Sequence, residues 1–537
     1  MAGAEFSGMI GQRSAQTGLF DAGNVFGIEL DPNTFYGQLA GVSRSLFSDE
    51  QFAQFYSERT GRPSVPPSLL ALTLLMQEYA SVSDQEAVER TAVDLRWAVV
   101  LGRPAGEPLC AKSTLQMFRA HLVLHEQAHA IFVASIEQAR ASGLLGKKVR
   151  IAVDTKPIIG RGSVEDAYNL LARGIRQAAG ALASQAKTKK EKFLRRHGLE
   201  RYLAPSIKGT EVLDWSDEAA VRGFLCGVVC DATTVLTLCS QSGDPLVKKQ
   251  AALLEQLLLQ DVEVIDTPQG PAAGLVEGTA RGRIPSVTDP DQRHGRKSAS
   301  KRFTGHKASV ATDVDSGIIL AVDVLAGDAA DASGVLGLVE SAEANSGGEV
   351  IETLGDCAYG SGATRQEFAE AGRTLLAKAP PVSGPKGLFN KSEFVIDLSE
   401  ETVTCPGGAT SRTFRQEADG AKVFSFGAAC AGCALRSLCT SSAGGRTIAV
   451  HAQESILQEA RAYQGTPQGR ARLKDRLVVE NSLARLSRLG ISQARYVGHL
   501  KTRYQLTMSA AVANLRRTWR WASQHRPPGA QLQATAA

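Results

Sequence analysis

Residues 149–158 read VRIAVDTKPI, a β-branched run that ends on Asp154 and follows a turn carrying Gly143 and Gly146. This is the texture of a strand opening a new domain. Further on, residues 305–327 (GHKASVATDVDSGIILAVDVLAG) form two alternating runs around Asp313-Val314-Asp315-Ser316-Gly317, which predicts a hairpin. A helical stretch over 332–344 follows, and then residues 349–372 (EVIETLGDCAYGSGATRQEFAEAG) read as strand, tight glycine turn and helix. Strand, hairpin, helix, strand, helix is the order of a mixed α/β sheet with helices on its faces.

Before this sheet the texture is helical. Pro66 and Pro67 open a segment with apolar residues at helical spacing, Ser83 with Glu86 is a capping-box pair, and two more helical stretches follow to about residue 141. Such helices suit helix-turn-helix DNA binding and a plain packed bundle equally well. Between Asp154 and the hairpin, residues 164–203 and 245–260 are again helical and rich in Ala, Leu, Lys and Arg, as in an accessory insertion. After a cysteine-bearing stretch the chain turns helical over 454–489 and 501–523. The expected organisation is a flexible arm (1–30), a helical DNA-binding domain (31–145), a catalytic core (146–395) with an insertion at about 160–285, a cysteine-rich element (396–450), the final core helices (451–522) and a disordered tail (523–537).

Across 537 residues, 43% hydrophobic and 21% charged side chains exclude a disordered or fibrous chain. No stretch approaches the ~18–20 uninterrupted apolar residues of a membrane span, and no basic-then-apolar leader opens the sequence. A cytoplasmic protein without a membrane partner is expected. The net charge of +5 is mild, but its distribution is not: twelve Lys and Arg lie between Arg470 and Arg520 against Asp475 and Glu480. A second basic run, from Lys187 to Arg196, is as consistent with a solvated face as with a DNA contact.

Two Mg²⁺ ions that cleave and transfer phosphodiesters need about three carboxylates on a rigid scaffold. Asp154 closes one strand, Asp356 closes another, and Glu480 lies in the helical run KDRLVVENSLARLSRLG (474–490). Taken singly, an aspartate after a strand is more often a turn or cap residue; Asp266, Asp313, Asp315 and Asp323 are of that kind.

Taken together, the motifs carry more. IAVDTKPI, the segment from Thr288 to Asp313, GDCAYGSGATRQEF with Tyr359 and Gly360 after the aspartate, and residues 472–517 with Arg476, the Val479-Glu480 pair and the closing Asn-Leu-Arg-Arg resemble the DDE transposases of bacterial insertion sequences. These have a ribonuclease-H-like catalytic core. The resemblance covers nearly the whole chain, and residues 35–124 look like the helical domain preceding that core. It implies catalysis and metal binding by Asp154, Asp356 and Glu480, two Mg²⁺ or Mn²⁺ ions as cofactors, and double-stranded DNA, both element ends and target, as partner. DNA contacts would come from Arg476, Lys501, Arg503, Arg516 and Arg517, with a homodimer or higher oligomer bringing two ends together at the nucleoid. One departure is the 202-residue separation of Asp154 and Asp356, which holds the insertion.

Nine cysteines argue against a disulfide framework in such a compartment. Cys405, Cys430, Cys433 and Cys439 stand apart, because Cys430-Ala-Gly-Cys433 has the spacing that lets two thiolates meet one Zn²⁺. The resemblance supports a structural zinc there; an iron–sulfur cluster and free thiols are the other options. Two competing functions remain, a metal-dependent nuclease or resolvase without strand transfer and a catalytically silent DNA-binding protein. A nucleotide-binding enzyme is set aside, since the chain has no GxxxxGK[ST].

Overall fold

Apolar residues at helical spacing and good caps build the N-terminal region of the computed structural model, which describes residues 10–525 apart from 15, 17, 58–62, 269, 279, 281, 299, 383 and 386. Its helices are α1 (Phe35–Val42), α2 (Pro67–Ala80), α3 (Asp84–Val93), α4 (Leu95–Leu101), α5 (Lys112–Leu124) and α6 (Ala128–Ala141). Ser83 accepts the Glu86 N–H at 3.2 Å, as its capping pattern predicts. From Pro67 to Glu78 every residue of α2 is buried, so this helix is the axis around which the others pack. Part of the expected loose arm is tied down instead. Arg13 donates to Ser43 O at 2.6 Å and Leu101 O at 3.0 Å, and Ala22–Phe26 is a short helix. The first nine residues and those from 526 onward lie outside the described residues.

β1 (Lys148–Ile159) starts the sheet. The chain then leaves it for the insertion: α7 (Ala167–Gln185), α8 (Glu218–Ser240), α9 (Pro245–Asp261) and a hairpin of β2 (Val262–Thr267) and β3 (Gly270–Leu275). These elements bury a core of their own, from Tyr168 to Val287. Neither α8 nor the hairpin follows from the sequence pattern. By length and composition α8 is apolar enough to cross a membrane, contrary to the expectation above, and a third of its most apolar window is buried. Its Phe224, Leu225, Val228, Ala232 and Val235 are buried in the insertion core, and its Asp231 is held by Arg201 and by the Tyr202 hydroxyl at 2.9 Å.

The chain returns through β4 (Arg293–Arg296), β5 (Arg302–Asp313), β6 (Ile319–Ala326), α10 (Val335–Ser346), β7 (Glu349–Gly355), α11 (Gly362–Glu370) and β8 (Leu375–Ala377). The strand order is β6–β5–β1–β7–β8, with β4 sharing the outer edge of β5. β5 runs antiparallel to β1 and β6, while β7 and β8 run parallel to β1. This is the expected ribonuclease-H-like sheet, and the expected hairpin is β5–β6.

Residues 394–450 form a small β-rich element with its own apolar cluster, from Phe394 to Val450. Four helices close the fold: α12 (Glu454–Gly465), α13 (Pro467–Lys474), α14 (Leu477–Arg488) and α15 (His499–Gln524). The Asn514 side chain accepts the Ile319 N–H and donates to Ile319 O, both at 2.8 Å, which ties α15 to the edge strand β6. One hydrophobic core runs from Phe35 through the sheet to Trp519, so the N-terminal helices and the sheet are packed as one body.

Candidate carboxylate site

In β1, Arg150 donates to Asp475 at 2.9 Å and Lys156 donates to Ser487, so α14 lies along this face of the strand. Side chains two apart share a face, and Asp154, between them, faces α14. The parallel ladder of β1 with β7 ends at the pair Ala152–Leu354. Two residues further along each strand stand Asp154 and Asp356. Asp356 leaves the sheet and caps the next turn, accepting the Ala358 N–H at 2.8 Å. Two glycines make this turn possible: a Cβ on Gly355 would lie 2.7 Å from Tyr359, and one on Gly360 would lie 1.9 Å from Lys378 O.

Burial pushes the Asp154 carboxyl up to about 6; the Thr155 N–H, donating to it at 2.7 Å, opposes the rise, the Asp356 charge adds to it, Arg476 opposes it and Asp331 adds to it. Burial also raises the Tyr359 phenol, with Asp154, Asp331 and Asp356 adding to it; its hydroxyl is buried without a hydrogen-bond partner among the described residues. Asp331 is the residue that sequence reasoning missed. It sits in the turn before α10 and accepts Lys307 at 2.7 Å, and no strand-end signal marks it.

Glu480 lies on the first turn of α14, half exposed, and pairs with Arg476 at 3.1 Å. Arg476, expected on DNA phosphates, is thus held by Glu480, and its charge also acts on Asp154. The structure brings Asp154 and Asp356 to the ends of neighbouring strands, while Glu480 pairs with Arg476, whose charge acts on Asp154. Among the described residues no three His, Cys, Asp or Glu side chains converge closely enough to hold a metal. Asp154 and Asp356 fit a divalent ion as hard oxygen donors on a rigid sheet. Glu480 completes that set only when it leaves Arg476.

Of the other basic residues, Lys501 is exposed on the first turn of α15. Arg503 lies 3.5 Å from Asp323 and 3.7 Å from Glu126. Arg516 and Arg517 are near the far end of the same helix; Arg516 lies over the Tyr79 ring at 5.5 Å and Arg517 Nε donates to Ser316 O at 2.8 Å. Asp266 is on β2 in the insertion, outside the central sheet.

Cys405, Cys430, Cys433 and Cys439 border one cavity of about 310 Å³. A Cβ on Gly407 would lie 3.2 Å from Cys433 Sγ and 3.7 Å from Cys405 Sγ, so these two sulfurs flank the same glycine. Burial pushes the Cys439 thiol up, Arg446 opposes this, and the other three cysteines add to it. The four thiols share a wall without closing on one point. Arg436 braces this loop through Cys430 O and Ser442 O, both at 2.9 Å.

Residues 404–519 match a family model described as a transposase DDE domain, and residues 26–121 match one described as a transposase domain (DUF772). The first match contains Glu480 and the four cysteines and leaves out Asp154 and Asp356. No curated protein and no solved structure matches the chain. Both models describe transposase domains and match opposite ends of the chain, and the sheet between them has the ribonuclease-H-like order; in those two segments the chain is similar to transposases, the C-terminal one to the DDE domain.

Proposed function

We propose that the chain is a transposase that binds the ends of its mobile element, cleaves the DNA there and joins the freed 3′ end to target DNA, with Asp154, Asp356 and Glu480 as the catalytic carboxylates. The observation that carries this is the pair Asp154 and Asp356 on neighbouring parallel strands, with the Asp154 carboxyl held up to about 6 by burial first. Asp154, Asp356 and Glu480 would hold the divalent ions, two Mg²⁺ or Mn²⁺ per site, which when bound would supply Lewis-acid chemistry to the phosphodiester. A cation brought to Asp154 competes with Arg476, whose charge acts on Asp154 and whose guanidinium holds Glu480. Lys501 and Arg503 then face phosphates near the cut.

Two ends must be synapsed, so the working form is a dimer or larger, acting in the cytoplasm at the nucleoid. The Cys405, Cys430, Cys433 and Cys439 cavity takes a structural Zn²⁺. Four thiolates would leave no open coordination position, so this metal supports the fold and not the chemistry. Metal analysis of the purified protein should find one zinc per chain, lost in Cys433→Ser. Absence of zinc from protein prepared without chelators would remove that assignment.

A nuclease without strand transfer differs in one product. A precut element end incubated with Mg²⁺ and a plasmid should yield covalently joined end–plasmid molecules, absent with Glu480→Gln. Cleavage without any joined product would favour the nuclease.

A further inference from the structure

At the seam between α14, α15 and the N-terminal helices lies a cavity of about 900 Å³. Five arginines line it: Arg485 and Arg488 from α14, and Arg516, Arg517 and Arg520 from α15. Its one carboxylate wall residue, Asp315, is taken by Arg150 at 2.9 Å. Several arginines elsewhere are paired with carboxylates, as Arg119 is with Asp84 and Arg373 with Glu343. Among the described residues none of these five makes such a pair.

Two of the five are partly spent on the fold. Arg485 donates to Gly317 O at 2.5 Å and to Ser482 at 2.7 Å, and Arg517 donates to Ser316 O at 2.8 Å. Yet Arg485 Nε is buried and has no hydrogen-bond partner among the described residues. Burial first, and then the neighbouring Arg517 charge, lower the Arg485 pKa to about 10, so like charges are crowded there. Arg488 and Arg520 are exposed and make no hydrogen bond among the described residues.

We infer that this cavity is a phosphate clamp for the DNA backbone, separate from the carboxylates, in which Arg488, Arg516 and Arg520 grip phosphates and Arg485 and Arg517 supply field. The inference rests on the transposase function above and extends it from Arg516 and Arg517, expected on DNA, to Arg485, Arg488 and Arg520 and to the cavity the five share. Planar guanidiniums suit phosphate oxygens, and several unpaired cations on one concave wall suit a polyanion better than a single small anion. The position fits too. The hairpin turn that walls the cavity sits beside Arg150, whose O accepts the Val314 N–H at 2.7 Å. Arg150 is four residues along β1 from Asp154, about 13 Å at ~3.3 Å per residue, which is roughly four nucleotide steps of one duplex strand. One duplex reaching the carboxylates passes this wall. Thr34 and Phe35, at the start of α1, also line the cavity, so the N-terminal region supplies part of the clamp.

The test is anisotropy of a labelled duplex of arbitrary sequence across a salt series, comparing the full chain with Arg488→Gln/Arg520→Gln and with Asp356→Ala. Thermal unfolding of each serves as the folding control. Loss of two phosphate contacts should weaken binding at least several-fold and flatten the log Kd against log salt slope by about 1.8, while Asp356→Ala keeps the parental slope. An unchanged affinity and slope in the folded double variant overturns the clamp. So does inorganic phosphate or ATP that binds in an Arg488/Arg520-dependent way without displacing duplex, which would make the cavity a small-anion site. Failure of the transposase function reads out differently, as intact clamp-dependent binding with no Mg²⁺-dependent cleavage.

Discussion

Asp154 is asked to be ionised where the fold favours the neutral acid. Its folded pKa is raised to about 6, above the ordinary aspartate value, with burial as the first cause. The folded state then binds more protons than the unfolded one between those two values, so stability falls as pH rises through that window and stays lowered above it. Asp154→Asn should therefore stabilise the metal-free protein at pH 7 to 8, on the order of 1–3 kcal/mol, measured by urea unfolding, with the gain vanishing near pH 4. No gain at neutral pH would mean that Asp154 is well solvated. Gly360→Ala should cost more than ~1–3 kcal/mol, since its Cβ would fall 1.9 Å from a backbone oxygen; an unchanged melting temperature would contradict this packing. Asp154 and Asp356 were legible because strand-ending aspartates leave a mark in the pattern. Asp331 and Lys307 were not, because their pairing joins a turn to a strand 24 residues away and neither position has a periodic signature.

At the scale of elements, Asn514 is the side chain that bonds both backbone groups of Ile319 on the edge strand, alongside the shared core and the His499 ring at Val324 O. Asn514→Leu keeps the volume but strands the Ile319 N–H and C=O in a buried setting, a loss of about 2–4 kcal/mol from two unmet backbone groups, with thermal unfolding as the measurement. A variant as stable as the parent would show that the Asn514 bonds to Ile319 contribute nothing to holding α15. In sequence this residue was visible only as part of the Asn-Leu-Arg-Arg motif, with nothing to say that its partner is the backbone of an edge strand. The strands of the central sheet were readable from β-branched runs and glycine turns. α8 was not: Val228, Val229 and Val235 are β-branched, and packing in the insertion core overrides their preference. The last helices were anticipated as one run from 454 to 489, whereas Thr466-Pro467 and the turn at Asp475 divide it into three.

Across the whole molecule, two cores have different fates. The insertion buries its own apolar cluster, while the N-terminal helices share one core with the sheet and α15. A chain starting at Gly146 should thus fail to fold cooperatively, lacking the partners of Leu506, Val512 and Trp519, whereas limited proteolysis of the intact protein should release the 164–287 unit as a protected fragment. A cooperative, soluble chain from Gly146 would contradict the shared core. Neither this seam nor the arginine cavity within it is legible from sequence, since both bring together segments more than 400 residues apart, as in the ion pair of Glu78 with Arg495 and the hydrogen bond from Ser509 to Glu78. The central claim, that the Asp154 and Asp356 pair is the chemical centre of a transposase, is tested most directly on a labelled duplex carrying the element's own end, incubated with Mg²⁺ or with EDTA, using the parent and Asp356→Ala. Nicking at the end that requires Mg²⁺ and disappears in Asp356→Ala is the predicted result; nicking that survives the substitution, or binding without cleavage in the parent, would contradict it.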